Sequence, residues 1–277
     1  MKLTHIHAGL FKLDGGAMFG VVPKKMWNKL NPSDENNMCT WGMHCILIQT
    51  GEKYILVDTG MGNKQDDKFK SHFEPHGPYE LVNELNKINI APEQITDVFL
   101  THLHFDHVGG AVKRDEGGHL VATFPNAVYW SNRIHWEWAM NPNPRETASF
   151  LKENFVPLLE QNKVKFIEKS GDEIAPGIKT IWLYGHTEAM MGLEINDNGK
   201  KYYYLADLIP SSFHIGLPYI MSYDLRPLIT LEEKTSILNK MVDENAILLI
   251  EHDPTTYAVT LKRDDHGRIV KHESIVL

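Results

Sequence analysis

A mixed α/β (α+β) fold is predicted by three observations. Short apolar runs such as Val98-Phe99-Leu100 and Ile247 to Ile250 read as buried strands, and they alternate with stretches of helical spacing. Several of these runs end on a histidine or an aspartate, which is where α/β sheets gather functional groups. The composition, 42% hydrophobic and 23% charged over 277 residues, supplies enough apolar material for a sizeable core.

Taken in order, Leu3 to Leu13 is expected as the first strand. His44 to Gln49 and Tyr54 to Val57 form a hairpin about Thr50-Gly51-Glu52. Leu81, Val82, Leu85 and Ile88 fall at helical spacing within Tyr79 to Asn89. Val98 to Leu100, Ala127 to Trp130 and Val164 to Ile167 are further strands, with helical material up to Asn162. Thr180 to Tyr184 leads into His186, Tyr202 to Leu205 into Asp207, and Ile247 to Ile250 into His252. Thr230-Leu231-Glu232-Glu233 has the pattern of a capping box opening a helix through Val242. No linker, repeat or low-complexity tract interrupts the chain, so a single domain over 1–277 is expected.

The net charge is -8, and no Lys/Arg cluster is longer than a pair. That argues against a nucleic-acid-binding face. The two cysteines, Cys39 and Cys45, make no disulfide framework. Without an apolar leader or a run of eighteen apolar residues, a cytoplasmic protein with no membrane partner is expected.

The chemistry concentrates in Thr101-His102-Leu103-His104-Phe105-Asp106-His107, directly after a strand. Side chains two apart in an extended segment point the same way, so His102 and His104 can share one metal ion. Asp106 and His107 lie one turn further on and can serve a second. Borderline metals such as zinc accept this mixture of nitrogen and oxygen donors. A structural zinc site would be closed by cysteines, and none lie near.

The H-x-H-x-D-H segment resembles that of the metallo-β-lactamase superfamily, and the resemblance runs over most of the chain. Tyr54 to Gly62, with Asp58-Thr59-Gly60, is similar to its strand-turn segment. Gly185-His186-Thr187, Ala206-Asp207 and Glu251-His252-Asp253 are similar to its later metal-binding segments. The resemblance implies a four-layer αβ/βα sandwich and a centre of two divalent ions, zinc foremost. His102, His104 and His186 would hold one ion and Asp106, His107 and His252 the other. Asp207 would bridge them, and Asp106 would also assist proton transfer. Asp58 would either orient a metal-binding imidazole or cap its own turn.

Within the superfamily, Leu13-Asp14-Gly15-Gly16-Ala17-Met18-Phe19-Gly20-Val21-Val22-Pro23-Lys24 and Trp27 resemble N-acyl homoserine lactonases and organophosphate hydrolases of the methyl parathion hydrolase type. Trp136, Trp138 and Asn141-Pro142-Asn143-Pro144-Arg145 fit the same pattern. Met18, Phe19, Met26 and Trp27 are candidates to grip an acyl chain, or else they pack on the scaffold or a second subunit. Trp130, Trp136 and Trp138 either line an opposite wall or belong to the core.

Two departures stand out. Met190 replaces the second histidine of the G-H-T-x-G-H pattern, a residue outside the implied ligand set. Pro210 stands where many lactonases carry a tyrosine that polarises the lactone carbonyl. Tyr219, Tyr223 and His214 are downstream candidates to replace it. His5, His7, His72, His76, His119, His135, His266 and His272 lack motif partners and are expected in surface or satisfied core roles, and His44 in a strand.

The implied activity is ring opening of N-acyl homoserine lactones by a metal-bridging hydroxide. The same centre would also serve a phosphoester, organophosphate or aryl ester hydrolase. A non-hydrolytic iron-dependent redox protein is the reading from another class, and metal content separates it from a zinc hydrolase. The expected partners are a small-molecule substrate and a second copy of the chain, docked through Phe19 to Asn37.

Overall fold

The computed structural model describes residues 1–277. The chain gathers into two units, one built from Met1–Gly9 and Met43–Lys169, the other from Leu10–Gly42 and Ser170–Leu277. The mixed α/β class expected from the sequence holds. No helix is long and apolar enough to cross a membrane.

The first unit is organised on the opening of β1 (Lys2–Asp14, of which 10–14 belong to the second unit), most of β2 (Met38–Thr50, of which 38–42 belong to the second unit), β3 (Lys53–Val57), β4 (Asp97–Phe99), β5 (Val112–Arg114), β6 (Leu120–Ala122), β7 (Val128–Asn132) and β8 (Val164–Ile167). Six of them form one sheet in the order β1-β2-β3-β4-β7-β8, and β5 pairs with β6. β3, β4, β7 and β8 run parallel. Parallel strands are covered on both faces, which is why Ile55-Leu56-Val57 and Val98-Phe99-Leu100 read as unbroken apolar runs. Leu56, Leu85, Val98, Tyr129 and Phe155 meet in the core. The expected helix at Tyr79 to Asn89 is shorter, Leu81–Lys87. The Glu80 carboxylate accepts the Asn83 amide at its start, and Asn89 turns left-handed beyond its end.

His5, His7 and His44 cluster in this unit. His5 Nε2 lies 2.8 Å from His44 Nδ1, and the His7 ring stacks on Tyr79. Burial first, and then the neighbouring imidazoles, push His5 and His7 down to about 3. The folded protein therefore resists protons that the unfolded chain accepts below pH 6.5, and stability falls as pH drops from there toward 3. His5→Gln removes one titrating group. Urea unfolding at pH 7 and pH 5 is expected to show a smaller loss in this variant than in the wild type. Equal losses would remove His5 from the account.

The second unit is organised on β9 (Glu173–Ala175), β10 (Ile178–Leu183), β11 (Met190–Asp197), β12 (Lys200–Tyr204), β13 (Ile247–Leu249), β14 (Ala258–Arg263) and β15 (Ile269–Ser274). The sheet order is β15-β14-β13-β12-β11-β10-β9. β10 and β12 are each antiparallel to β11, and β13 is parallel to β12. β10, β12 and β13 thus point the same way and deliver their following residues to one edge. β14 and β15 escaped the sequence reading because their outer ends, such as Lys262, Arg263 and Lys271, are exposed and polar.

The long helix of this unit is Pro227–Asp243, not one opening at Thr230. Pro227 occupies the first turn, where its missing N–H costs nothing. Glu233 caps no helix. Its carboxylate accepts the amides of Tyr184 and Gly185 at 2.7 and 3.1 Å and fixes the turn that carries His186.

The segment resembling lactonases packs within this unit. Asp14 caps the short helix Gly15–Phe19 by accepting the Ala17 amide at 2.7 Å. A Cβ on Gly15 would sit 2.4 Å from the Trp27 ring, and one on Gly20 would sit 2.1 Å from the Ile220 carbonyl oxygen. Gly20 also has φ +58, so the two glycines are required by close approach and by turn geometry. Phe19 stacks on Trp27 at 5.2 Å and on His214 at 5.1 Å. Met18, Phe19 and Trp27 are buried, while Met26 is exposed.

Candidate metal centre

In the first unit, three parallel strands deliver polar residues together. β3 runs into Asp58, β4 runs into His102 and His104, and β7 runs into the helix Arg133–Met140 that carries His135. Thr101 Oγ1 donates to Asp58 Oδ2 at 2.6 Å, and the Thr101 amide donates to Asp58 Oδ1 at 2.8 Å. With its proton committed, the Thr101 hydroxyl accepts from His102 Nδ1 at 3.1 Å. Asp58 Oδ2 also faces His107 Nδ1 at 3.2 Å. Asp58 therefore orients the imidazoles, one directly and one through Thr101, and both rings present Nε2. Its φ of +56 places it in a left-handed turn sustained by these contacts.

His104 is extended, and the short helix Phe105–Val108 follows at once. His102 and His104 offer ring nitrogens within 4.8 Å of one another. The amide between them, on Leu103, donates to His135 Nε2 at 2.9 Å, so His135 is a satisfied core histidine that holds the loop. Asp106 is buried with Oδ2 3.8 Å from His107 Nε2. The Thr59 amide and hydroxyl both donate to the His107 carbonyl at 2.8 Å.

In the second unit, the strands of common direction deliver His186, Asp207 and His252. His186 Nδ1 donates to Asp224 Oδ1 at 2.8 Å, and His252 Nδ1 donates to the Gly42 carbonyl at 2.8 Å. Both rings are thereby set with Nε2 outward. Asp207 lies between them, with Oδ2 3.2 Å from His186 Nε2 and Oδ1 3.1 Å from His252 Nε2. Ala206, just before it, holds φ +44, a strained position for a residue with a Cβ. The Pro210 carbonyl accepts the His252 amide at 2.7 Å, so this proline ties the turns of Asp207 and His252 together. Glu251, also buried, places a carboxylate oxygen within 4.8 Å of the Asp207 and His252 donors.

This donor set fits a divalent cation. Neutral imidazoles whose Nδ1 protons are committed elsewhere aim Nε2 lone pairs at carboxylate oxygens. Lone pairs facing across about 3 Å, buried with two carboxylates, need a shared positive charge. A metal ion meets that need, and nitrogen and oxygen donors suit zinc and its neighbours.

His214 cannot replace the lactonase tyrosine. Its Nδ1 pairs with Ser211 Oγ at 2.7 Å and its Nε2 with the Met18 carbonyl at 2.9 Å. Tyr219 is half-buried and Tyr223 exposed. Trp130 and Trp138 are half-buried, and Trp136 packs on Phe155 and Phe166. Sequence reasoning missed Asp224, the Gly42 carbonyl, Glu233 and Glu251. The first three act from 38, 210 and 48 positions away, which leaves no local signal. Glu251 stands beside His252, a candidate ligand, and could have been found there.

Fold and donors together define a metallohydrolase. The model of the metallo-beta-lactamase superfamily matches residues 42–252. An N-acyl homoserine lactonase of Bacillus thuringiensis is 30% identical over 205 residues, 70% of each chain. A probable metal-dependent hydrolase of Staphylococcus aureus superimposes with a TM-score of 0.88 at 31% identity, over 99% of this chain and 98% of that one. A dizinc quorum-quenching lactonase, solved with a homoserine product, superimposes with a TM-score of 0.80 at 22% identity over 100% and 97% of the two chains. The chain belongs to the metallo-β-lactamase superfamily.

Proposed function

We propose that the protein is a binuclear metallohydrolase that opens the lactone ring of N-acyl homoserine lactones. His102, His104 and His186 would hold one ion, and Asp106, His107 and His252 the second, with Asp207 bridging. Two divalent ions, zinc in this reading, would acidify water and polarise the carbonyl under attack. The chain's own groups do the rest. Asp58, Asp224 and the Gly42 carbonyl fix the imidazoles, and Asp106 takes the released proton at a carboxylate oxygen and returns it to the leaving ring oxygen.

The observation that carries metal-dependent hydrolysis is the Asp207 carboxylate between two outward Nε2 atoms. The choice of lactone is supported by the identity to N-acyl homoserine lactonases across 70% of both chains. Pro210 favours a second reading, phosphotriester hydrolysis, because no phenol stands there to assist a lactone carbonyl.

The test is acid release from a panel of N-acyl homoserine lactones, followed with a pH indicator in weak buffer. Zinc-loaded protein is expected to turn over and the His104→Ala variant to be inactive. Absence of turnover by protein shown to hold two ions would overturn the lactone assignment, and turnover of a phosphotriester instead would establish the second reading.

A further inference from the structure

Hydrolysis as described leaves the segment Asn141 to Phe150 without a role. Its ionisable residues are Arg145, which is exposed, and Glu146, which is 4% exposed. A carboxylate so buried needs fixed partners. Trp138 Nε1 and Asn143 Nδ2 both donate to Glu146 Oε2, at 2.8 and 2.7 Å. Asn143 is itself held, because its Oδ1 accepts the Arg145 amide at 2.8 Å. These contacts leave the other oxygen, Oε1, facing His104 Nε2 at 3.5 Å, an ion-pair separation longer than a formed hydrogen bond. The segment is also tied to the metal loop by the Phe105 amide, which donates to the Ser149 carbonyl at 2.9 Å, and Phe150 packs on the His104 ring.

His102, His107, His186 and His252 are all held through Nδ1. The carboxylate beside His104 that lies outside the implied ligand set, Glu146, faces its Nε2 instead. We propose that Glu146 is the positioning residue of His104: it takes the Nε2 proton at Oε1 and commits Nδ1 to the metal ion. Two histidines two apart on an extended segment start from similar depth on one face. Presenting Nε2 from His102 and the nearer Nδ1 from His104 gives them different reach and lets both serve one ion. The carboxylate also makes the imidazole a stronger donor. This inference rests on the binuclear reading above.

Glu146→Gln tests it. The amide nearly keeps the volume, but it cannot accept from Trp138 and Asn143 on one side and from His104 on the other. Protein loaded with zinc is mixed with a chromogenic chelator, and cobalt-loaded protein is followed by its visible absorption. One of the two ions is expected to leave about 10–100-fold faster, with a changed cobalt band for that ion only. Trp138→Phe, which removes one anchor of the carboxylate, should shift release in the same direction by less. A merely structural glutamate would lower the urea midpoint of the metal-free variant and loosen neither ion selectively, which would overturn the proposal. So would wild-type release of both ions from Glu146→Gln. A wild-type protein that takes up no zinc would overturn the binuclear reading as well.

Discussion

Asp207→Asn is expected to lower lactone hydrolysis by about a hundred- to a thousandfold, the range one electrostatic group contributes in an active site. Asp207 is the one carboxylate held between two outward imidazoles, 3.2 Å from His186 Nε2 and 3.1 Å from His252 Nε2. The amide keeps the shape and loses the charge that would join two cations. Metal content is expected to fall with activity, so zinc analysis of the purified variant separates lost ions from lost chemistry. The metal-free protein should behave in the opposite sense. Without ions, Asp207 lies buried near the Glu251 carboxylate, and neutralising one of them removes a repulsion. Thermal unfolding in chelator should therefore show the variant at least as stable as the wild type. A variant that loads two zinc ions and turns over within tenfold of wild type would sink the bridging role.

Asp58→Ala is expected to be the most damaging substitution for stability. The carboxylate is fully buried and serves the Thr101 amide, the Thr101 hydroxyl and His107. Truncation leaves buried donors with nothing to accept them, at about 1–3 kcal/mol each. Partial relaxation brings the total to about 3–5 kcal/mol, the range for removing one partner of a buried charged network. The measurement is urea unfolding of metal-free protein, so that lost metal binding does not enter. Asp58→Asn keeps one acceptor and should lose less. A metal-free Asp58→Ala protein within about 1 kcal/mol of wild type would show that water satisfies the network instead.

These two residues differ in how they could be read from sequence. His102 to His107 are legible on their own, because an extended H-x-H and one following turn fix geometry within six residues. His186, Asp207 and His252 stand out as candidates because each follows an apolar run inside a segment resembling a known family. Asp58 was legible only as a turn with two alternative roles, and the structure gives the carboxylate the role of orienting imidazoles. Asp224 and Glu146 left no trace, since each meets its histidine across a loop whose path no local pattern encodes. The Thr230 capping box misled for a related reason. Glu233 matched a local rule, but the open amides of the His186 turn took its carboxylate. Leu13 to Trp27 was legible as a signature but not in its physical content. Its glycines and aromatics answer to packing around Trp27, Ile220 and His214.

On the ribosome, the histidines that end these strands are born far apart in time. His102 emerges 150 positions before His252. At about 5–20 residues per second, the early imidazoles precede His252 by roughly 8–30 s. On the unfinished chain Asp58 and Thr101 can already set the His102 and His107 rings, but Asp224, which sets the His186 ring, and the sheet that carries His186 and His252 are not yet made. Metal capture on this reading belongs to the finished polypeptide. The cell's metal supply at that moment, more than the order of synthesis, decides which ion the enzyme carries.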